Sequence, residues 1–320
     1  MLQQPLGGYA SHELVALVHA LAAVEAQLRK SIAADPPEVA GSMGDLFEAG
    51  GKRVRPALVL LAAMCGRYEL SRLAPAAMAV ELTHAATLVH DDVIDRSATR
   101  RGRPTVAAKL GDEPAIVIGD FYFAKAYESA AASGVPEVVD TLARAVMAIC
   151  AGEVRQQSIR YRYQTDVDEY MQRIEAKTAV LLAACCDIGA LLGGLDDVKR
   201  DALREYGREL GLAFQIADDV LDYTGTEDEV GKPIGHDIVD GFATLPLMLA
   251  EIHVEDGRRL SEMEARALVE TVRESGAPAR AIEMARERAR AAREQLQGFD
   301  KTDAIDALIS LTDYEVSRKF

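Results

Sequence analysis

The stretch ELTHAATLVHDDVID, residues 81–95, sets three aspartates inside an apolar helical pattern. Ala85, Ala86, Val89, Val93 and Ile94 recur at the spacing of one helix face. Asp91, Asp92 and Asp95 interrupt them at positions i, i+1 and i+4. On a helix such positions fall within about 100° of arc, with about 6 Å along the axis from i to i+4. The stretch FQIADDVLD, residues 214–222, repeats the arrangement with Asp218, Asp219 and Asp222. Both runs lie in apolar patterns, Ala85 to Ile94 and Leu210 to Leu221, so both helices are expected to be largely buried. Buried carboxylates repel one another and resist ionisation unless something neutralises them. A hard divalent cation does this, and Mg²⁺ takes carboxylate oxygens while keeping waters and phosphates as its other ligands. One D-D-x-x-D in an acidic chain has little meaning. Two, both inside apolar helices, mark a site. An N-cap role fails for most of these aspartates, because apolar periodicity continues on both sides.

The helical period extends outward in both directions. Leu14, Leu17, Val18, Leu21 and Leu28 keep it near the N-terminus, with Ser11 as a candidate cap. Alternating β-branched runs with hairpin turns are hard to find. The chain reads as all-α, with ten or more helices in one domain spanning 1–320 and a short helical region, 1–40, packing on it. Asp35-Pro36-Pro37, Gly102-Arg103-Pro104 and Gly193-Gly194 are helix breaks. Thr224 to Gly241 reads as a long irregular loop, of a length that is usually functional, and one expected to order over bound ligand. The Arg/Glu/Ala-rich segment Ala281 to Gln297 reads as a solvated helix with i, i+4 ion pairs.

Cations sit near the acidic helices. Gly50-Gly51-Lys52-Arg53-Val54-Arg55-Pro56 opens an apolar helical run. The two glycines allow close backbone approach, and a helix start favours an anion. Lys52 and Arg55 add charge-assisted donors, Arg100, Arg101 and Arg103 follow the first acidic run, and Lys177, Thr178 and Lys232 supply more. Carboxylates for metal, cations for phosphate and helices able to enclose an apolar cavity match a substrate with a diphosphate head and a hydrocarbon tail.

The composition narrows the alternatives. With 36 basic and 51 acidic residues among 320, the net charge of −15 argues against nucleic acid as a partner. The N-terminal sequence has no signal-peptide pattern. The longest apolar stretch, Ala179 to Leu195, is interrupted by Asp187 and so reads as a core helix, not an integral membrane segment. Cys65, Cys150, Cys185 and Cys186 form no C-x-x-C pair and read as buried reduced thiols of a cytoplasmic protein.

The chain resembles the trans-type polyprenyl (isoprenyl) diphosphate synthases from about Leu46 to its C-terminus. The markers are GGKRVRPAL (50–58), ELTHAATLVHDDVID (81–95), TRRGRPTV (99–106), IGDFYFAKA (118–126), GEVRQQ (152–157), KTAVL (177–181), FQIADDVLD (214–222) and GKPIGHDI followed by TLP. The resemblance implies a large helical bundle of the isoprenoid synthase type with a central substrate cavity. It implies a homodimer, with helices near 115–132 and 138–149 as candidate interfaces. It implies that isopentenyl diphosphate condenses with an allylic diphosphate by ionisation, condensation and elimination. Asp91 and Asp95, with Asp218 opposite, are implied to bind Mg²⁺, and Asp92, Asp219 and Asp222 to assist. Lys52, Arg55, His84 and Arg101 are implied to hold isopentenyl diphosphate. Arg100, Lys177, Thr178, Gln215 and Lys232 are implied to grip the allylic diphosphate. One departure stands out. Many members carry Lys two residues before the late T-L-P, where this chain has Phe242.

Ala86, five residues before Asp91, stands where short-chain relatives often place a Phe or Tyr floor, and Ala79 lies further down the same helix. A product of C25 or longer is therefore expected, unless Phe123 or Tyr122 closes the tunnel. A terpene cyclase is a poorer match, since the chain has no Trp and 5% aromatic residues. A short-chain farnesyl or geranylgeranyl synthase, or a silent partner subunit, remains an alternative.

Overall fold

The computed structural model describes residues 12–48, 51–163, 166–225 and 234–317. The described chain is all-α apart from one two-stranded ribbon. It divides into two compact units: 1–146 with 184–204 and 298–310, and 147–183 with 205–297 and 311–320.

The first unit begins with α1 (His12–Ala33) and α2 (Pro37–Glu48), parted at Asp35-Pro36-Pro37 as the sequence predicts. Helix α1 buries Leu17, Ala20, Val24, Leu28 and Ile32 along one stripe and packs on α3 (Val54–Met64) and α4 (Leu70–Ile94). Each large side chain of such a stripe contributes about 1.5–3 kcal/mol when fully buried. Residues Pro56–Ala63 of α3 are buried on every side, as expected of a helix apolar all round. Helix α9 (Val180–Leu192) lies so close to α3 that a Cβ on Gly189 would collide with the Val59 carbonyl. Its Asp187 is buried but satisfied, since Arg200 donates to it at 2.5 and 3.0 Å and Thr141 at 3.3 Å.

After α4 the chain reverses at Arg96, whose φ is 53°, and forms the ribbon β1 (Thr99–Arg100) and β2 (Arg103–Pro104). The sequence reading expected only a helix break here. Arg101 and Gly102, with φ of 51° and 74°, make the left-handed two-residue turn that such a hairpin needs. Strands two residues long leave no alternation to detect. Helices α5 (Val106–Leu110) and α6 (Asp112–Ala131) follow, and α6 packs along α4. Helix α7 (Pro136–Ser158) runs from the first unit into the second.

The second unit contains α8 (Val167–Ile174), a π-helical turn at Glu175–Ala179, most of α10 (Asp197–Thr224), and the helices α11 (His236–Val239), α12 (Leu245–Leu249), α13 (Glu262–Glu274) and α14 (Ala277–Glu294). Asp166 caps α8, accepting from the Glu169 N–H at 2.7 Å. Ser261 and Glu264 close a capping box on α13. In α14 the charged residues form surface pairs, but at i, i+3 and i, i+7 and not at the expected i, i+4: Arg286 and Arg290 lie 3.4 and 3.2 Å from Glu283, while Ala281, Ala285, Ala289 and Ala292 are buried beneath them. Helix α15 (Asp303–Ser317) ends the described chain. No helix among the described residues is long and apolar enough to cross a membrane. Cys185 and Cys186 are buried as expected, and Cys65 is half-buried. Cys150 departs from the expectation, being exposed on α7.

Candidate functional site

In the first unit the chain gathers cations over the C-terminal half of α4. Arg53 stands at the start of α3 in the left-handed region, φ 54°. That is a sparsely populated conformation for a non-glycine residue, of the kind held in place only where surroundings enforce it. They do so here. Its Nη1 donates to Glu81 Oε1 at 2.7 Å, Nη2 donates to the Phe47 carbonyl at 3.3 Å, and the guanidinium lies 5.4 Å from the centre of the Phe47 ring. Glu81 is buried, so this ion pair is shielded from water. The pinned residue lies between Lys52 and Arg55. Arg55 Nε is buried without a hydrogen-bond partner. Such a group is costly unless a ligand completes it.

His84 lies on α4 among these groups. Its pKa is held well below the usual imidazole value by burial, then by Arg55, Arg101, Arg100 and Arg53. It is therefore neutral at ordinary pH. Burial also lowers the pKa of Arg55 and Arg101 from the usual guanidinium value, with Arg100 and Arg53 opposing the Arg101 charge. Burial first, and neighbouring cations after it, disfavour the charge on Arg55 and Arg101, and a bound anion would offset that.

The first acidic run ends α4. Asp95 caps the helix at its C-terminus and does not continue it, because Arg96 turns the chain away. The expected apolar continuation on both sides therefore fails for this run. Asp92 is buried and receives Arg100 Nε at 2.9 Å and Nη2 at 2.8 Å on one oxygen. Burial raises its pKa and Arg100 works against the rise. The ribbon thus fixes Arg100 on Asp92, while Asp91 and Asp95 are half-buried. Arg103 and Lys109 bind the ribbon region to α2 through Asp45 and Glu48.

In the second unit the second run lies wholly inside α10. Asp218 is exposed, Asp219 and Asp222 are buried. Both Asp219 oxygens are engaged. Tyr170 Oη donates to Oδ2 at 2.8 Å and Gln215 Nε2 to Oδ1 at 2.7 Å. Thr178 Oγ1 donates in turn to Gln215 Oε1 at 2.6 Å. Burial pushes the Asp219 carboxyl up to about 7, helped by the Asp237 charge. Asp222 Oδ2 accepts the Asp237 N–H at 3.2 Å. Lys177 and Thr178 lie in the π-helical turn, where one extra residue per turn interrupts the helix. Such bulges are frequent at functional sites. Lys177 Nζ is 3.6 Å from Glu153. Lys232 and the loop residues 226–233 lie outside the described residues.

The structure therefore brings His84, Arg55, Arg100 and Arg101 together in one unit, and Thr178, Gln215 and Asp219 together in the other. Sequence reasoning missed Glu81, Tyr170 and the π-helical turn. Glu81 could have been found as a lone acid in an apolar helix; nothing local marks Tyr170. Ala79 and Ala86 are fully buried, seven residues apart on one face of α4. Tyr122 is committed elsewhere, donating to Asp35 at 3.1 Å. Phe123 packs against His90 with ring centres 5.6 Å apart. Among the described residues no three carboxylate, imidazole or thiol groups form a closed metal cage. The donor set fits Mg²⁺, which binds through one or two carboxylates and completes its shell with water and phosphate. The Asp219 carboxyl is raised by burial first and by the Asp237 and Asp218 charges after it, and a bound cation would offset the latter.

The polyprenyl synthetase family pattern matches residues 36–275. Over 293 residues the chain is 39% identical to heptaprenyl diphosphate synthase component 2 of Geobacillus stearothermophilus, covering 92% of this chain and 85% of that one. It is 37% identical to the geranylgeranyl diphosphate synthase of Methanosarcina mazei, covering 89% and 91%. Among solved structures, the polyprenyl synthase of Caulobacter crescentus, complexed with calcium and isoprenyl diphosphate, matches with a TM-score of 0.89. That match has 36% identity and covers 94% of this chain and 95% of the other.

Proposed function

The chain belongs to the polyprenyl synthetase family of prenyl transferases, and from that premise we propose that it condenses isopentenyl diphosphate with an allylic diphosphate, using Mg²⁺, to give an all-trans product of C25 or longer. One observation carries the reading: a neutral His84 surrounded by four arginines, with the buried Arg55 Nε awaiting an acceptor. Lys52, Arg55, His84 and Arg101 hold the isopentenyl diphosphate. Arg100, Lys177, Thr178, Gln215 and Lys232 grip the allylic diphosphate. Asp91, Asp95 and Asp218 are the metal ligands, and Asp92, Asp219 and Asp222 set their surroundings. Held by Asp91, Asp95 and Asp218, Mg²⁺ would supply neutralisation of the charge on the departing diphosphate. The allylic C–O bond breaks, the isopentenyl double bond attacks the carbocation, and the released diphosphate takes the proton. No side-chain base is required. Tyr170 and Gln215 engage both oxygens of Asp219, and the exposed Asp218 is the carboxylate of its run that we assign to metal.

The length assignment rests on Ala79 and Ala86, which line one face of α4 with the smallest side chain that keeps a helix. The named relatives make both longer and shorter products. A second reading is favoured by the name of the Geobacillus relative, a component 2: the chain then works only with a partner, and not as a homodimer. Incubation of the purified chain with Mg²⁺, isopentenyl diphosphate and allylic primers of increasing length separates these. Products of C25 or longer from the chain alone support the first reading. Shorter products remove the length assignment, and inactivity alone favours a partner.

A further inference from the structure

The π-helical turn at Glu175–Ala179 is held at every one of its five residues. The Val180 N–H reaches back to the Glu175 carbonyl, so the turn carries one residue more than an α-helical turn and swells outward. Two glycines on neighbouring helices receive the swelling. Ala176 lies over Gly152 of α7, where an added Cβ would stand 2.5 Å from the Ala176 Cβ. Ala179 lies over Gly211 of α10, where an added Cβ would collide with the Ala179 Cα. Side chains tie the other three residues. Arg208 of α10 donates to Glu175 at 3.0 Å, and Thr178 Oγ1 donates to Gln215 at 2.6 Å. Lys177 Nζ stands 3.6 Å from Glu153 of α7.

Helix stability does not ask for this arrangement. A glycine within a helix is less stable than an alanine, and a π-turn is rarer than an α-turn. Three such departures meet at one place, and local rules are broken together where a site requires it. The seat stands beside the second acidic run. Gln215 Nε2 donates to Asp219 Oδ1 at 2.7 Å, so Thr178 is two hydrogen bonds from a buried carboxylate of that run. Asp218, the next residue, is exposed, and so is Lys177. Helix α10 carries both Gly211 and these carboxylates, so it fixes one end of the turn relative to them. The depth of Ala176 in the Gly152 notch then sets the reach of Lys177 and Thr178.

We infer that Gly152 is a positioning residue for the allylic diphosphate: by admitting Ala176 it sets the depth at which the π-helical turn presents Lys177 and Thr178. The inference rests on the reading above that gives those two residues to the allylic substrate. A binding group displaced by about 1 Å costs about 100-fold in rate, so a notch one methyl group deep matters. The residues assigned to isopentenyl diphosphate, Lys52, Arg55, His84 and Arg101, belong to the first unit.

The test exchanges two small side chains. Gly152→Ala, Ala176→Gly and the double variant are compared with the parent chain. Farnesyl diphosphate binding is measured by calorimetry with Mg²⁺, alongside KM for both substrates and the melting temperature. Gly152→Ala drives two Cβ atoms into one another, lifts the turn and weakens farnesyl diphosphate binding by about tenfold or more. Ala176→Gly empties the notch without a clash and weakens binding by about threefold or more, because the turn loses its seat. The double variant puts one Cβ back between the helices and recovers binding to within about twofold of the parent. KM for isopentenyl diphosphate stays within about twofold throughout. A fall in melting temperature with farnesyl diphosphate binding unchanged means packing alone and overturns the inference. Equal losses for both substrates, or a double variant as weak as the single ones, overturn it as well. If Gly152→Ala does not fold, Ala176→Gly and the double variant decide in the same way. If the parent chain binds farnesyl diphosphate but elongates nothing, the transferase reading fails, and the binding comparison still decides Gly152. If the parent chain does not bind it, both fail.

Discussion

Burial, and after it four arginines, hold the His84 imidazole well below its usual pKa, which favours its uncharged form. A protonated imidazole there would add a fifth cation to a group already suppressing itself. Arg55 is the member of that group with the clearest missing partner. Arg55→Ala is expected to raise KM for isopentenyl diphosphate by about 10- to 150-fold, the worth of a charged hydrogen bond of about 1.5–3 kcal/mol. KM for the allylic substrate should change little in steady-state kinetics. Asp219 obeys a different rule. Its carboxyl lies at about 7, above the ordinary 3.8, so the folded protein retains a proton that the unfolded chain releases. The associated stability is complete below the unfolded value and is lost as pH rises through the folded one. Asp219→Asn cannot ionise. In urea titrations without metal, the midpoint of the parent chain should therefore fall more steeply from about pH 5 to pH 8 than that of the variant. His84, whose lowered value pulls the opposite way, is present in both and cancels from the difference. Parallel curves would contradict the account of Asp219.

Helix α4 shows how far local sequence determines a site. Its acidic residues were legible because carboxylates inside an apolar period cannot be explained by packing. The length of the helix was legible on one side only. Arg96 enters the left-handed region and ends it one residue before Asp95, and no residue type signals that turn as a glycine would. The ribbon after it was missed for the same reason at a larger scale: two residues per strand give no alternation, and only the Arg101-Gly102 turn holds the pattern. The π-helical turn at Glu175–Ala179 leaves the apolar period almost intact, so the interruption is invisible until the backbone is seen. Partners that arrive from elsewhere in the chain, Tyr170 on Asp219 and Arg160 on Phe242, have no sequence signature at all. The chain-length assignment belongs to α4 as an element. Ala86→Phe inserts a ring on the buried face shared with Ala79 and is expected to shorten the product by one or more isoprene units. Product analysis by chromatography decides it, and an unchanged length would remove position 86 from the tail path.

At the scale of the whole molecule, the net charge of −15 and the concentrated cations of the first unit coexist without conflict. A diphosphate needs a local field and not a basic surface. Family membership settles the class of chemistry. Within the proposed reading, the small-residue face on α4, Ala79 and Ala86, is the feature that bears on the substrate tail. The most direct measurement is elongation by the purified chain with Mg²⁺, isopentenyl diphosphate and a farnesyl diphosphate primer, followed by product sizing. The account predicts all-trans products of C25 or longer and none when Mg²⁺ is removed with a chelator. Absence of elongation with every primer, or products that persist without divalent metal, would contradict it.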